Sequence, residues 1–226
     1  MPCRRGPPSC VARPYGLSAM PRAAARLDKE IRPMRTALLL ALLTASTAPA
    51  AAIAAPVTYQ LDPTHTDVLF TWNHNGFSFP TGRAAISSGT LTYDAAKPTA
   101  SQVQVELPLA ELATHVPKLD EIVKSDKLFD AAKFPQATFR STSVSTQGSG
   151  RLKITGDLTL HGVTRPVVLD ATLNKLGEHP SRKVPTIGFN ATAVIRRSEF
   201  GLDAFLPNIA DEVQLRITTE AQGAKE

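Results

Sequence analysis

Between Thr58 and Glu220 the chain repeatedly alternates apolar and polar residues, a pattern typical of β-strands with one buried face. The segment Arg151–His161 shows it most clearly, with Gly156 as the only gap among the apolar positions, which are Leu152, Ile154, Leu158 and Leu160. A sheet without covering helices can bury its apolar face only against itself. The pattern therefore predicts an all-β domain, either a sandwich or a closed barrel.

Nine strands are predicted, and short turns between several of them favour antiparallel neighbours. Their ranges are Val57–Leu61, Asp67–Asn73, Arg83–Tyr93, Ser101–Leu107, Gln136–Ser145, Arg151–Leu160, Pro166–Asn174, Thr186–Arg196 and Glu212–Glu220. The strand Arg83–Tyr93 changes phase between Ile86 and Leu91, which predicts a bulge. One short amphipathic helix is predicted to begin at Pro117.

The first 54 residues differ from the rest of the chain. Residues 1–33 show no periodicity, and we expect them to be an unstructured extension upstream of the true start; a long charged leader is the alternative. Residues 34–54 combine a basic start, the apolar run Ala37–Leu43 and small residues at Ala52 and Ala54, the pattern of a signal peptide. We therefore expect a mature domain of residues 55–226, located in the periplasm or secreted.

Removal of this leader changes the charge and the cysteine content. It takes away eight of the 25 Lys and Arg residues and two of the 20 Asp and Glu residues, which leaves 17 basic against 18 acidic residues and a net charge of −1. The expected mature domain therefore lacks the excess of basic residues that is typical of nucleic-acid-binding domains. Because Cys3 and Cys10 also lie in the leader, the domain needs a full-sized core without disulfides.

Residue size on the inward faces bears on whether the interior is filled or vacant. Small residues occupy inward positions at Gly156, Ala171, Ala191 and Ala193, where a filled core would favour bulk. Several aromatic residues lie near loops instead of in mid-strand. Both features favour a barrel with a cavity, since about eight strands enclose room for one small ligand. A filled barrel or sandwich remains the alternative.

Two polar residues continue the inward phase at strand ends. His74 follows Phe70 and Trp72, and Arg197 follows Ile195, so both side chains could hold a polar ligand head. The alternative is that polar residues simply mark where the strands leave the core. The histidines show no metal-ligand spacing, and no serine or histidine has a catalytic context, so no metal, cofactor or catalytic residue is predicted.

Five ordered motifs make the chain resemble the YceI-like family of periplasmic polyisoprenoid-binding proteins. The longest is Leu158–Val167, with the sequence LTLHGVTRPV. The others are Asp67–Phe70 running on to His74–Phe77, Phe129-Asp130 with Phe134–Phe139, Arg197–Gly201 and Asp211–Val213. The resemblance covers about Val57 to Ala221, essentially the whole expected mature chain.

The resemblance implies an extended, lipocalin-like, eight-stranded antiparallel β-barrel with one helix beside it. It also implies a long apolar ligand in the lumen, such as an isoprenoid quinone or a polyprenyl lipid. The candidate ligand-contacting residues, taken from the inward phase, the aromatic positions and the motifs, are Phe70, Trp72, His74, Phe77, Leu119, Ile122, Phe129, Phe134, Phe139, Phe189, Ile195, Arg197 and Phe200.

One departure from the family pattern concerns the predicted helix. Relatives often carry an Arg-Asp-x-His-Leu run, and here Leu119 and Ile122 stand at the Arg and His positions while Asp120 is kept. If the replaced residues meet the ligand head in relatives, this chain has lost two polar contacts. We therefore expect a less polar or uncharged head group, such as a quinone instead of a pyrophosphate.

The expected function is binding, transport or storage of such a lipid without catalysis. The alternatives are an enzyme that acts on an isoprenoid or another amphiphile, with His74 or His161 as acid or base, and a stress-response barrel protein with a structural ligand. Expected partners are the lipid, a transient membrane contact and a second copy of the chain in a homodimer, but no nucleic acid.

Overall fold

The computed structural model describes residues 55–225. The expected extension and signal peptide, residues 1–54, lie outside the described residues. Ten strands are present: β1 (Val57–Leu61), β2 (Asp67–His74), β3 (Thr81–Ala85), β4 (Ser88–Tyr93), β5 (Gln102–Pro108), β6 (Gln136–Thr146), β7 (Arg151–Leu160), β8 (Val163–Glu178), β9 (Pro185–Arg196) and β10 (Ile209–Gly223). One α-helix of the described part, α1, covers Pro117–Lys124, and short 3-10 turns cover Pro98–Ala100, Leu109–Glu111 and Arg197–Phe200.

The sheet closes on itself through β1, which pairs with β4 on one side and with β10 on the other. From β4 to β10 the order is sequential around the ring through β5, β6, β7, β8 and β9, and all of these pairings are antiparallel. Closure leaves no free sheet edge in this ring. The predicted antiparallel barrel with one helix is therefore confirmed.

The ten strand segments make eight barrel strands because two barrel strands are interrupted. β10 pairs with β1 through Ala221–Gly223 and with β2 through Val213–Thr218, so β1 and β2 lie end to end along it. β3 and β4 form the second interrupted barrel strand, since β3 pairs with β2 and β4 pairs with β1. The break between β3 and β4 falls at Ile86 and Ser87, where the phase change in the sequence predicted a bulge.

Side-chain burial follows the predicted alternation. In β9 the side chains of Ile187, Phe189, Ala191 and Ala193 are buried, whereas the intervening residues Asn190, Thr192 and Val194 are exposed. The apolar faces thus point into the barrel and the polar faces point to solvent. Among residues 55–225 no helix has the length and hydropathy needed to cross a membrane.

One stretch of the wall is completed by the segment between β5 and β6. β4 pairs with β5, but beyond β4 the backbone of Arg83 in β3 bonds instead to the backbone of Ala113, with N to O distances of 2.7 and 3.0 Å.

Helix α1 follows directly after this segment. The Asp120 carboxylate anchors its first turn by accepting hydrogen bonds from the Thr114 backbone N and Oγ1, both at 2.6 Å. These bonds hold the pKa of Asp120 below its ordinary value.

The turn between β7 and β8 explains the His-Gly pair in the longest motif. His161 and Gly162 both have positive φ, 52° and 74°. A two-residue hairpin turn with positive φ at both positions matches the twist of the strands, and glycine adopts it without strain. A Cβ at Gly162 would also approach the Phe134 ring, with 3.1 Å to its Cδ1 atom. The motif therefore encodes a tight hairpin.

At the other end of the barrel, Asp62 joins three separate parts of the chain. Its Oδ2 atom accepts hydrogen bonds from Arg182 in the β8–β9 connection and from Gln222 in β10, both at 3.1 Å. Its Oδ1 atom accepts from the Thr64 backbone N at 2.9 Å. Burial alone would raise the pKa of Asp62, but hydrogen bonds from Thr64, His65 and Arg182 outweigh it and hold that pKa well below its usual range.

Asp62→Asn is expected to lower the free energy of unfolding by about 1–3 kcal/mol near neutral pH, because an amide replaces charge-assisted hydrogen bonds poorly. The folded-state pKa lies below the unfolded value of about 3.9. The contribution of Asp62 to the free energy of unfolding is therefore complete above the unfolded-state pKa and is lost as the pH falls towards the folded-state pKa. Urea unfolding at a series of pH values should show a weaker acid dependence in Asp62→Asn than in the wild type.

Asp170→Asn provides the control, since Asp170 pairs with Lys153 on the surface with 63% of its side chain exposed. This variant should keep the wild-type acid dependence and change stability by less than about 0.5 kcal/mol. Equal pH profiles for Asp62→Asn and the wild type would contradict the anchoring role.

Candidate functional site

The barrel interior contains a lumen with two chambers. The wide chamber has a volume of about 770 Å³ and lies beside α1, and the narrow chamber has a volume of about 160 Å³ and extends towards the other end of the barrel. Four residues line both chambers, one each from β2, β5, β7 and β10: Val68, Leu107, Leu158 and Leu215. We call these four residues the waist. The wide chamber falls within the size range of pockets that hold a small organic ligand.

The narrow chamber is lined almost wholly by apolar side chains, many of them from predicted inward positions. They include Val103, Val105, Leu152, Ile154, Val167, Leu169, Ala171, Ala191 and Ile217. Two candidate residues, Phe139 and Phe189, belong to this lining. Such a surface offers a hydrocarbon chain dispersion contacts but very few hydrogen bonds.

The wide chamber is lined by apolar and polar residues together. Eight of the thirteen candidate residues line it: Phe70, Trp72, His74, Leu119, Ile122, Phe129, Ile195 and Arg197. The rings of Phe70 and Trp72 stack, with centroids 5.8 Å apart and an interplanar angle of 22°. Leu119 and Ile122 project from α1 into the chamber, so the two positions that depart from the family pattern present hydrocarbon to the interior.

Sequence reasoning missed the neutral polar groups of this chamber. Asn75, Ser78, Thr114 and Asn208 all line it, and all four lie in loops, where strand phase gives no signal. The Asn75 backbone N bonds to the Asn208 carbonyl O at 2.9 Å, which joins the β2–β3 hairpin to the loop before β10. The side chains available for a ligand head are therefore mostly uncharged amides and hydroxyls.

The wide chamber opens to solvent at its outer end, which we call the mouth. His74, Asn75 and Ser78 are exposed there, and Val116 and Phe205 line the chamber with 52% of their surface still exposed. Phe77 and Phe79 lie in the same β2–β3 hairpin and are 92% and 64% exposed. We call Phe77, Phe79, Val116 and Phe205 the apolar rim of the mouth.

Three candidate residues lie outside the lining of both chambers. Phe77 belongs to the apolar rim and points to solvent. Phe134 packs edge-on against the His161 ring, with centroids 4.7 Å apart. Phe200 is 1% exposed, and its carbonyl O lies 3.2 Å from His161 Nδ1. Phe134 and Phe200 therefore support the His161 hairpin turn, and their contact with a ligand stays a prediction.

Arg197 has a structural role that the sequence did not reveal. Its side chain is buried and donates four hydrogen bonds to backbone carbonyls. Nε bonds to Ala210 at 2.9 Å, Nη2 to Ile209 at 2.8 Å, and Nη1 to Leu202 and also to Ala204 at 2.9 Å. A guanidinium has five N–H donors, so four of the five are used within the protein. Arg197 thus fixes the loop that forms one side of the wide chamber.

Burial and two nearby carboxylates act in opposite directions on the pKa of the Arg197 guanidinium. Burial lowers the pKa of Arg197, and the nearby carboxylates of Asp211 and Asp203 oppose that effect. Asp211 accepts hydrogen bonds from the Ser198 backbone N and from Ser198 Oγ, both at 2.8 Å. Burial alone would raise the pKa of Asp211, but these bonds and the positive charge of Arg197 lower it. The predicted contact of Arg197 with a ligand head remains a prediction, with one N–H donor left for it.

The chamber does not contain a pair of facing acidic or basic groups. Of the residues that line it, His74 and Arg197 are the ionisable ones, and the His74 Nδ1 atom lies 3.3 Å from Asn75 Nδ2. Within residues 55–225, no three His, Cys, Asp or Glu side chains form a cluster suited to a metal ion. His74 and Arg197 therefore lie in a lining that is otherwise uncharged.

A closed antiparallel barrel with an apolar lumen, open at one end beside a short helix, has lipocalin-like architecture. Residues 59–221 match the family model of the YceI-like domain, so the chain belongs to that family. The identity drawn from the five motifs is confirmed.

Relatives of similar length share much of the sequence. A UPF0312 protein of Pseudomonas syringae pv. tomato is 39% identical over 181 residues, covering 80% of this chain and 93% of the relative. A UPF0312 protein of Shewanella baltica is 36% identical over 188 residues, covering 83% of this chain and 98% of the relative.

Solved structures show the same fold. BcnA of Burkholderia cenocepacia gives a TM-score of 0.63 at 24% identity, covering 71% of this chain and 98% of BcnA. A polyisoprenoid binding domain from Saccharophagus degradans, implicated in plant cell wall breakdown, gives 0.57 at 17% identity, covering 74% and 99%. The YceI protein of Campylobacter jejuni gives 0.52 at 26% identity, covering 64% and 82%. Because BcnA and the Saccharophagus degradans domain are 24% and 17% identical to this chain, these two comparisons show the fold alone.

Arg197→Lys is expected to lower the free energy of unfolding by about 3 kcal/mol or more, because an ammonium cannot reach all four carbonyls and buried acceptors would lose their partners. Chemical denaturation measures this loss. The matched control is Arg196→Lys. Arg196 is 62% exposed and forms only a long ion pair with Glu212, with 3.8 Å between Nη2 and Oε1, so the free energy of unfolding of this variant should stay within about 0.5 kcal/mol of the wild-type value. Equal stability of the two variants would contradict the role of Arg197.

Proposed function

We propose that the protein binds a long-chain isoprenoid lipid with an uncharged head group, of the quinone or polyprenyl type, and carries or stores it in the periplasm. The two-chamber lumen is the observation that carries this proposal. A narrow apolar chamber suits a prenyl tail, and a wider chamber with amides and hydroxyls suits a polar head. The polyisoprenoid named for the Saccharophagus degradans domain supports the ligand class.

The hydrocarbon lining supplies enough free energy for such binding. Burial of each methylene stabilises by roughly 0.8 kcal/mol, so one five-carbon unit contributes on the order of 4 kcal/mol before ordering costs. A few units in the lumen therefore suffice for tight binding without strong polar contacts. Specificity for the head then depends on the wide chamber.

The composition of the wide chamber favours an uncharged head. Leu119 and Ile122 fill two positions of the chamber with hydrocarbon. Arg197 donates four of its N–H groups to backbone carbonyls and keeps one, so it is poorly placed to clamp a pyrophosphate, which needs several donors. Asn75, Ser78 and Asn208 can instead donate hydrogen bonds to the carbonyl oxygens of a quinone or pair with a hydroxyl, whereas the Thr114 hydroxyl already donates to Asp120.

Binding without catalysis is part of the proposal. General acid–base chemistry requires a positioned group with a suitable pKa and an orienting partner. His74 lies at the exposed mouth, and His161 is held by Phe200 and Phe134 outside the lining of the lumen. We therefore expect the lipid to leave the protein chemically unchanged.

Mass spectrometry of a solvent extract from the purified mature protein tests the ligand. The expected result is an intact isoprenoid quinone or prenyl alcohol in a fixed ratio to protein, also recovered unchanged after incubation with delipidated protein. A control sample, prepared identically with an unrelated periplasmic protein, corrects for carried-over membrane lipid. A tightly held pyrophosphate would contradict the uncharged head, and a chemically altered lipid would contradict binding without catalysis.

The apolar rim supports a transient membrane contact during lipid exchange. Exposed aromatic clusters mark interaction surfaces, and aromatic side chains favour the interface between water and hydrocarbon. Because these residues surround the mouth, a bilayer contact there would place the lumen opening at the lipid source. The alternative is that a second copy of the chain covers the same rim in a homodimer.

The double variant Phe77→Ser with Phe79→Ser is expected to slow quinone transfer from vesicles about tenfold or more, because both exposed aromatic anchors are lost. The equilibrium affinity for the quinone should change little. Quenching of Trp72, the single tryptophan of the chain, reports arrival in the wide chamber. Leu176→Ser at the opposite end of the barrel, where Leu176 is 42% exposed, is the control and should transfer at the wild-type rate. An unchanged rate for the double variant, or a rim-dependent dimer in sedimentation experiments, would contradict the membrane contact.

A further inference from the structure

Gly82 in β3 lies directly opposite Phe70 in β2, and the Phe70 ring covers it. A Cβ at position 82 would lie 2.6 Å from Phe70 Cε2 and 2.9 Å from Cε1, and still closer to Cζ. Real side chains do not tolerate such distances, so the ring occupies the space that any other residue would fill. The three nearest atoms are all at the far end of one ring, and none belongs to the backbone.

The position of that ring determines how much of the wide chamber is free. Phe70 lines the chamber and stacks on Trp72, which lines it as well. Because the ring lies between β3 and the chamber, a side chain at position 82 would move the ring away from the wall and into the space for the ligand. The absence of a side chain at Gly82 therefore lets the Phe70 ring lie against β3.

The same arrangement occurs deeper in the lumen, where the Phe139 ring covers Gly156. A Cβ at position 156 would lie 2.7 Å from Phe139 Cε2 and 2.6 Å from the Arg140 carbonyl O. Here a methyl group would also strain the strand ladder, so its effect on binding would be mixed with an effect on folding. Gly82 offers the cleaner test, since only a ring must move.

We propose that Gly82 is a specificity-determining residue that gives the wide chamber room for a ring-bearing head group by letting Phe70 lie against the wall. This inference rests on the proposed function and adds the residue pair that selects the head. A thin prenyl chain needs less width than a quinone ring. A narrower chamber should therefore exclude ring-headed lipids and keep linear ones.

The experiment measures equilibrium binding of two isoprenoids of equal chain length, one a quinone and one a linear prenyl alcohol, to delipidated protein. Gly82→Ala is expected to weaken quinone binding at least tenfold, the order of effect that overpacking one methyl group produces, and to change alcohol binding less than about threefold. The matched control is Gly188→Ala in β9, where a Cβ would meet only the Thr219 carbonyl O at 3.6 Å, an ordinary contact. It should bind both lipids as the wild type does.

The double variant Gly82→Ala with Phe70→Leu provides a rescue, because the smaller side chain leaves room for the methyl group, and quinone binding should return to within about threefold of the wild type. Circular dichroism confirms that each variant is folded. If Gly82→Ala fails to fold, Gly82→Val with Phe70→Leu takes its place, because the larger side chain refills the space that Phe70→Leu opens and should weaken quinone binding relative to Gly82→Ala with Phe70→Leu. Equal weakening for both lipids, no weakening, or no rescue would overturn the role of Gly82. A wild-type protein that binds neither lipid would overturn the proposed function itself and this inference with it.

Discussion

Closure of the sheet through β1 is the constraint on which the rest of the structure depends. β1 bonds to β4 on one side and to β10 on the other, so the eight-stranded ring has no free edge. Once the ring is closed, alternation along each strand sends one set of side chains inward and the other to solvent. The apolar residues then face one another across a lumen, and the size of those residues decides whether the lumen is filled. The Asp62 network reinforces this seam by joining it to the β8–β9 connection.

The lumen stays vacant because of where small residues and rings are placed. Gly82 and Gly156 accept the Phe70 and Phe139 rings against the wall, and alanines take inward positions in β8 and β9. At the open end, buried Arg197 donates hydrogen bonds to the Leu202 and Ala204 carbonyls of the loop before β10, and α1 adds hydrocarbon to the chamber. A polar head can then meet neutral amides and hydroxyls near solvent while its tail lies in an apolar chamber. This division of the lumen is the physical basis of the proposed lipid binding.

The sequence predicts the wall of the barrel well because the alternation of period two is a strong signal. The inward phases of Phe70, Phe189 and Leu215 all appear in the lining. It predicts the mouth poorly, because loop residues such as Asn208 carry no phase, and because residues distant in sequence decide their surroundings. Arg197 shows the limit: strand phase places it at the lumen edge, but only the folded loop shows that its donors are engaged. Strand phase likewise does not reveal that Phe134 and Phe200 contact His161 in the β7–β8 turn, because these contacts join residues that are distant in sequence.

The lumen offers an apolar chain a path from the mouth past the waist into the narrow chamber. A crystal structure of the delipidated protein reloaded with an isoprenoid quinone tests this path. We expect continuous ligand density through both chambers, with the quinone ring beside Trp72 and the prenyl tail beyond Leu158. Side chains that fill the narrow chamber, with the lipid absent or bound only on the outer surface, would contradict it.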